Sequence, residues 1–445
     1  MPYVLGIDVG TSRTAAAVSR QAGSTWGDAE IAQLGERAAS IPTVVYFAAD
    51  GTVLVGDAAH RHATSDPANA ARGFARRIGD EVPLMVAGES CTAEALTAVL
   101  VRWVADEVTK AENMAPEHIV LTHPADWGSY RKRMLHRALR QANLDKVTLL
   151  PEPIAVGESH AASHDVVNGQ AIAVYDLGAG ALSCAVVRRS PLGTFELLTS
   201  SESVEPNGGD SFDDVIFDHV RAGVDIDMAD PDAWATLARL RELCTAAKEF
   251  LTTGTQTAVR EIEVTRAEFE DKIRTAVEAG IEELLRTIQS APVRAEDLAS
   301  VVLTGGSSRI PLVTELIVGQ LRNQVVLFPE PDQACALGAA IAAQRLVPAS
   351  KPVVIPDDPF EDAPPPDRPE VDVAPLDLPR PRSFLRLITG MKPAVLGAAG
   401  AAVLAAGVAL TLYLRPDPPA PPAPAAGTST VVNSTSAQQT GEGGR

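Results

Sequence analysis

Over roughly the first 348 positions, short apolar runs alternate with stretches of helical period. Strand-like runs fall at residues 4–7, 43–47, 118–122, 171–176 and 301–304. Between them, Leu96, Val99, Leu100, Trp103, Val104 and Val108 repeat at helical spacing and predict one apolar face over 94–110. Leu240, Cys244, Ala247 and Leu251 do the same over 237–251. A third helix is announced by a capping box, Thr265 followed by Glu268, and continues through Phe269, Ile273, Val277, Ile281 and Leu284. Strands and helices in alternation over this length predict an α/β unit with mainly covered sheets.

The pattern breaks after Pro348. Residues 351–382 are rich in Pro, Asp and Glu with little apolar periodicity, which predicts a disordered linker over 349–393. Residues 394–414 then contain no charged side chain. As a helix they would span about 31 Å, the hydrocarbon thickness of a bilayer. A buried Ala-rich core helix is the alternative, but the flanks offer no domain to bury it. Arg380, Arg382, Arg386 and Lys392 precede the segment and only Arg415 closely follows it. That asymmetry predicts a single-pass membrane protein with the large N-terminal domain cytoplasmic and the tail, 415–445, outside and disordered.

Composition narrows the picture in two places. A net charge of −19 argues against a nucleic-acid partner, which would call for a basic face. Cys91, Cys184, Cys244 and Cys335 are widely spaced, so neither a disulfide framework nor a zinc site is expected. The close pairs His60 with His62 and His160 with His164 lack further clustered ligands and read as surface or packing residues.

Three loops carry the candidate chemistry. Gly6-Ile7-Asp8-Val9-Gly10-Thr11-Ser12-Arg13-Thr14 lies between two apolar runs and predicts a hairpin. Glycine there would let backbone N–H groups approach a phosphate, and Asp8 at the strand end could hold a hydrated Mg²⁺. Taken singly, such a loop is also an ordinary hairpin. The pattern returns, however, about 170 residues later as Asp176-Leu177-Gly178-Ala179-Gly180-Ala181 after another apolar strand. The third element, Val301-Val302-Leu303-Thr304-Gly305-Gly306-Ser307-Ser308-Arg309, ends a strand in two glycines that would admit a nucleoside.

Three such elements in this order resemble the actin-like ATPase superfamily, and further segments resemble the heat-shock-70 (DnaK-type) family within it. They are Leu121-Thr122-His123-Pro124-Ala125, Leu150-Pro151-Glu152-Pro153-Ile154-Ala155, Gly208-Gly209-Asp210-Ser211-Phe212-Asp213, Lys248-Glu249-Phe250-Leu251-Thr252, and the helix-forming run from Glu330 to Ala340. The resemblance covers nearly all of residues 1–348 and implies two lobes, each with a ribonuclease-H-like core, closing on ATP or ADP with Mg²⁺. It implies that Gly10, Thr11, Ser12 and Arg13 surround the terminal phosphates, with Gly178, Gly180, Gly208 and Gly209 approaching from the other lobe. Asp8 and Asp176 would hold Mg²⁺ through water, with Glu152 nearby; Glu152 and Asp176 are the candidate catalytic groups. Gly305, Gly306, Ser307 and Arg309, with Lys248, would line the adenosine.

The chain departs from that family where catalysis is concerned. Counting back from Ile78-Gly79, the position of the family's phosphate-contacting lysine holds Ala75; a one-residue slip would put Arg76 there, and an arginine is not an equivalent point charge. The second hairpin carries Ala181 and Ser183 where the family has a hydroxyl and a carboxylate. Nothing after 348 reads as a peptide-binding domain. The expectation is a membrane-anchored, nucleotide-dependent conformational switch with weak ATPase activity at most. The alternative is a pseudo-ATPase scaffold for a cytoplasmic protein partner. A small-molecule kinase or a filament former of the same superfold would share the three loops, and the heat-shock-70-like segments argue against both.

Overall fold

The computed structural model describes residues 1–203, 208–227, 229, 233–321 and 323–347. Within them, two mixed sheets repeat one arrangement. In the first, strand Tyr3–Val9 pairs antiparallel with Arg13–Ala22 and parallel with His118–His123, which pairs parallel with Val147–Pro151. In the second, Ala171–Leu177 pairs antiparallel with Leu182–Arg189 and parallel with Leu298–Thr304, which pairs parallel with Val325–Leu327. Each lobe thus starts with a hairpin and adds parallel strands on the far side of its first strand. The parallel additions need crossover segments, which is why helices separate them in sequence.

Each sheet buries a face against one helix, and those two helices bury against each other. Helix Ala334–Gln344 lies over the first sheet, where Ala336, Ala339, Ala340 and Ala343 meet Val4, Ala15, Ala17 and Val120. Helix Glu152–Ser163 lies over the second, with Val156 against Ile172, Val174, Val187 and Phe195. Small residues set the spacing. A Cβ on Gly6 would stand 2.3 Å from the Ala340 nitrogen, and one on Gly338 would stand 1.7 Å from the Ala155 carbonyl oxygen. The helices therefore touch backbone to backbone.

The chain leaves this pair beside a clamp. Arg345 donates from Nη1 and Nη2 to the two carboxylate oxygens of Glu158 at 2.7 and 2.8 Å, and Glu158 is 4% exposed. A forked guanidinium on a carboxylate is the strong form of such a pair.

The remaining helices follow their predicted patterns closely. Thr265 and Glu268 cap helix Arg266–Ser290 reciprocally, and Phe269, Ile273, Val277, Ile281 and Leu284 are buried. Helix Ala233–Leu251 buries Leu240, Cys244, Ala247 and Leu251. Helix Ala93–Glu112 differs in one respect: Val99 is exposed. Its buried stripe runs through Leu96, Leu100, Val104 and Val108 and turns toward Thr97, Val101 and Ala105, which carries position 99 to solvent. All four cysteines are free. Among the described residues no helix is long and apolar enough to cross a membrane. The segment expected to do so, 394–414, lies outside them, as do the expected linker 349–393 and tail 415–445.

Replacing Gly338 with Ala should destabilise the domain by about 3 kcal/mol, because two backbones must separate to admit one methyl group. Gly319 in helix Pro311–Gln320 has nothing within 4 Å of an added Cβ. Gly319→Ala should therefore stay within about 1 kcal/mol of wild type, on the stabilising side. Denaturant unfolding of both variants checks the contrast.

Candidate nucleotide and magnesium site

The two hairpins present the same local geometry to one cleft. In the first, the Gly10 N–H donates to the Arg13 carbonyl at 3.0 Å, and in the second the Gly178 N–H donates to the Ala181 carbonyl at 3.1 Å. The register then makes Asp8 and Asp176 counterparts, each two residues before its turn glycine. The loops meet at Gly180, where an added Cβ would stand 2.8 Å from both Thr11 Oγ1 and Arg76 Nη1. Between them lies a cavity of about 590 Å³. Its walls include Asp8, Gly10, Thr11, Ser12 and Arg13 from the first lobe, Asp176, Gly178 and Gly180 from the second, and Glu152 from the crossing helix. Gly305, Gly306, Ser307 and Arg309 complete it.

Gly305 shows why a glycine stands at the end of strand Leu298–Thr304. Its φ is +79°, and a Cβ there would lie 2.4 Å from Asp176 Oδ1. The turn is held by its own polar groups: Thr304 Oγ1 donates to the Pro331 carbonyl at 2.7 Å, and Ser308 Oγ donates to the Thr304 carbonyl at 2.5 Å. Arg309 Nη2 is paired with Glu330 at 2.5 Å and Asp332 at 3.4 Å.

Three residues assigned to the site by resemblance stand behind its wall. Gly209 and Asp210 donate their N–H groups to the Gly178 and Ala179 carbonyls at 2.9 and 2.8 Å, so the start of helix Gly209–Arg221 braces the second hairpin. Gly208 packs there too, with 2.5 Å between an added Cβ and the Ala179 carbonyl oxygen. Lys248 is buried; its Nζ donates to the Gly209 carbonyl at 2.7 Å and lies 2.8 Å from Asp213 Oδ1 in an ion pair. Glu249 and Thr252, one and four residues further on, line the cavity instead.

The cleft is strongly acidic. Asp8, Glu152 and Asp176 can be reached by water but are otherwise surrounded by protein, and among the described residues no Lys or Arg pairs with them. Burial pushes the Asp8 carboxyl up to about 6, Asp332 adds to the effect, and the Thr122 hydroxyl, donating at 2.5 Å, opposes it. Burial and then the Asp8 charge push Asp176 up to about 7. Glu152 is held well above the ordinary carboxylate range by burial and then by Asp8, Asp176 and Glu202. The Cys335 thiol beside them is likewise raised, by burial first and the three carboxylates after it.

Carboxylates that resist ionising together suit a divalent cation. Among the described residues no three His, Cys, Asp or Glu groups lie close enough to grip a bare ion. Facing carboxylates that accept hydrogen bonds fit a hydrated Mg²⁺, which keeps several of its waters and is reached through them. Asp8 and Asp176 would hold such a hydrated ion, with Glu152 accepting from its waters.

The Arg76 arrangement was not legible in sequence. Arg76 leaves the short helix Ala75–Arg77 of the first lobe and pairs with Glu202, the last residue of strand Phe195–Glu202 in the second, at 2.5 Å. Ala75 also lines the cavity, as a buried methyl group. The two partners are 126 residues apart, and no local motif marks Glu202.

Asp176 yields a test of the electrostatics. An acid whose folded pKa lies near 7, against 3.8 when unfolded, costs no stability below about pH 4. Between about pH 4 and 7 the unfolded chain sheds its proton first, and folding loses stability as pH rises. Asp176→Asn abolishes that loss. Without nucleotide or Mg²⁺, the variant should gain on wild type between pH 5 and 8, by on the order of 1–4 kcal/mol, in denaturant titrations.

Comparison with known proteins places the chain in a family. The family model described as Hsp70 protein matches residues 4–86 and 80–358. Chaperone protein HscA of Serratia proteamaculans (strain 568) is 32% identical over 373 residues, covering 77% of this chain and 58% of that protein. Chaperone protein DnaK of Elusimicrobium minutum (strain Pei191) is 27% identical over 376 residues, covering 80% of this chain and 60% of its own length. The chain thus spans about three-fifths of the length of these curated relatives. Paired hairpins, a glycine turn against a half-buried aspartate and a matched family model lead to one assignment: the chain belongs to the Hsp70 family, and these lobes are its ATP-binding domain.

Proposed function

We propose that this protein is a membrane-anchored, nucleotide-dependent conformational switch with weak ATPase activity at most. The observation that carries the reading is the convergence of Asp8, Asp176 and Glu152 in a cleft where, among the described residues, no Lys or Arg pairs with them. Mg²⁺ with ATP would supply both the missing positive charge and the anion the hairpin N–H groups can receive. Two lobes joined by crossing helices then close on ATP and relax on ADP, a change other proteins can read only if the two states differ in affinity.

Slow turnover follows from the side chains at the terminal phosphate. Ala75 offers no charge there, Ala181 no hydroxyl and Ser183 no carboxylate. Single donors aimed at developing charge are worth roughly 10²–10³ in rate, whereas the backbone cradle and both magnesium aspartates remain for binding. Single-turnover assays with Mg²⁺ test this directly. Wild type should bind ATP and hydrolyse it slowly, and Ala75→Lys, whose side chain can enter the cavity, should hydrolyse at least ~10-fold faster. Rapid hydrolysis by wild type would sink the slow-switch reading. Equal partner affinities with ATP and ADP would favour a pseudo-ATPase scaffold.

The anchor is residues 394–414, with the nucleotide-binding domain on the cytoplasmic side by the excess of basic residues before the segment. A protein partner on that side would receive the switch. Protease added to intact cells should remove the tail, 415–445, and spare the large domain; the reverse pattern would overturn the orientation.

A further inference from the structure

We infer that Arg76 and Glu202 form a latch across the cleft that a nucleoside triphosphate opens and a diphosphate leaves closed. The inference rests on the nucleotide reading above and adds the residues that tell the two ligands apart.

Arg76 is the cleft cation best placed to meet a terminal phosphate. Three arginines line the cavity. Arg13 is spent on Ser40, donating from Nε to Oγ at 2.7 Å and from Nη2 to the carbonyl at 2.8 Å. Arg309 is held at the glycine turn by Glu330 and Asp332. Arg76 stands where the hairpin loops meet, with Nη1 beside Gly180 and Thr11 and Nη2 on Glu202. A guanidinium presents its donors in a fixed fork, so an anion arriving beside Nη1 competes with the carboxylate on Nη2 for the same charge. Ala75, one residue earlier, ends in a methyl group and does not compete for that place.

Glu202 competes with a terminal phosphate for that guanidinium. Its carboxylate is partly buried and stands near Glu152 and Asp126. Arg76 is its one ion-pair partner among the described residues. A diphosphate that ends short of the loop junction leaves the Arg76–Glu202 pair intact. A triphosphate places a further dianionic group there and must draw the guanidinium from Glu202. The carboxylate thus raises the cost of ATP binding without touching ADP, and its release on the second lobe is what distinguishes the ATP state. No bond is made or broken; one ion pair is exchanged for another.

Calorimetric titration of the full chain with Mg-ATP and Mg-ADP tests the latch on wild type, Glu202→Gln, Arg76→Gln and the double variant. Glu202→Gln, which keeps a hydrogen-bonding side chain of the same length, should tighten ATP binding ~5- to 10-fold and leave ADP within ~2-fold. Arg76→Gln should weaken ATP ~10-fold or more, again sparing ADP. In the Arg76→Gln background the Glu202 change should lose at least half of its logarithmic effect, the mark of two residues acting as a pair. Equal shifts for ATP and ADP, or the same Glu202→Gln effect with and without Arg76, would overturn the latch while leaving the cleft a nucleotide site. Wild type that binds neither nucleotide would overturn the reading of the cleft itself, and the latch with it.

Discussion

Two helix backbones in contact set the geometry of everything else in this domain. Where Gly338 meets Ala155, and where Gly6 meets Ala336 and Ala340, no side chain separates the elements. Contact this close fixes the distance between the two sheets, and hence the distance between the hairpin loops that project from their first strands. A helix built from Ala, Gly and Cys at its buried positions can lie that near a neighbour; one built from leucines would sit further off. Glu152 opens the other helix of the pair, so the same contact aims its carboxylate at the cleft.

The cleft that results is electrostatically unfinished. Three carboxylates approach one another in a setting that disfavours their charge, and the arginines around them are engaged by partners of their own. Groups of this kind resist ionisation, or recruit a cation, or do both in turn as conditions change. The Thr122 hydroxyl on Asp8 and the braced hairpin beneath Gly178 hold the acids in position whether or not a ligand is present. Energy spent holding like charges together is returned when a metal and a polyphosphate arrive, so binding and folding stability are linked through the same residues.

What was legible in the sequence was local. Asp8 and Asp176 are legible because each sits two residues before a turn glycine at the end of an apolar run, a pattern contained in a handful of positions. The capping box at Thr265 is legible for the same reason. Contacts between distant segments were not. Lys248 has the identity of a binding residue, yet a buried aspartate and a backbone carbonyl hold it behind the wall, and only the packing of two helices reveals that. Glu202 carries no motif, because its role depends on Arg76 arriving from the other lobe. Val99 fits the helical period as well as its neighbours do; the direction in which the stripe turns is decided by the helix and strand it packs against.

The Arg345–Glu158 clamp gives this domain a mechanical port. Glu158 lies on the same helix as Glu152, six residues on, about 9 Å along a rigid rod. Arg345, which ends helix Ala334–Gln344, grips that rod by both oxygens of a buried carboxylate. A pull on Arg345 is therefore delivered to the helix that carries a cleft carboxylate. Torque travels the other way as well: a turn of that helix moves Arg345 and the helix it ends.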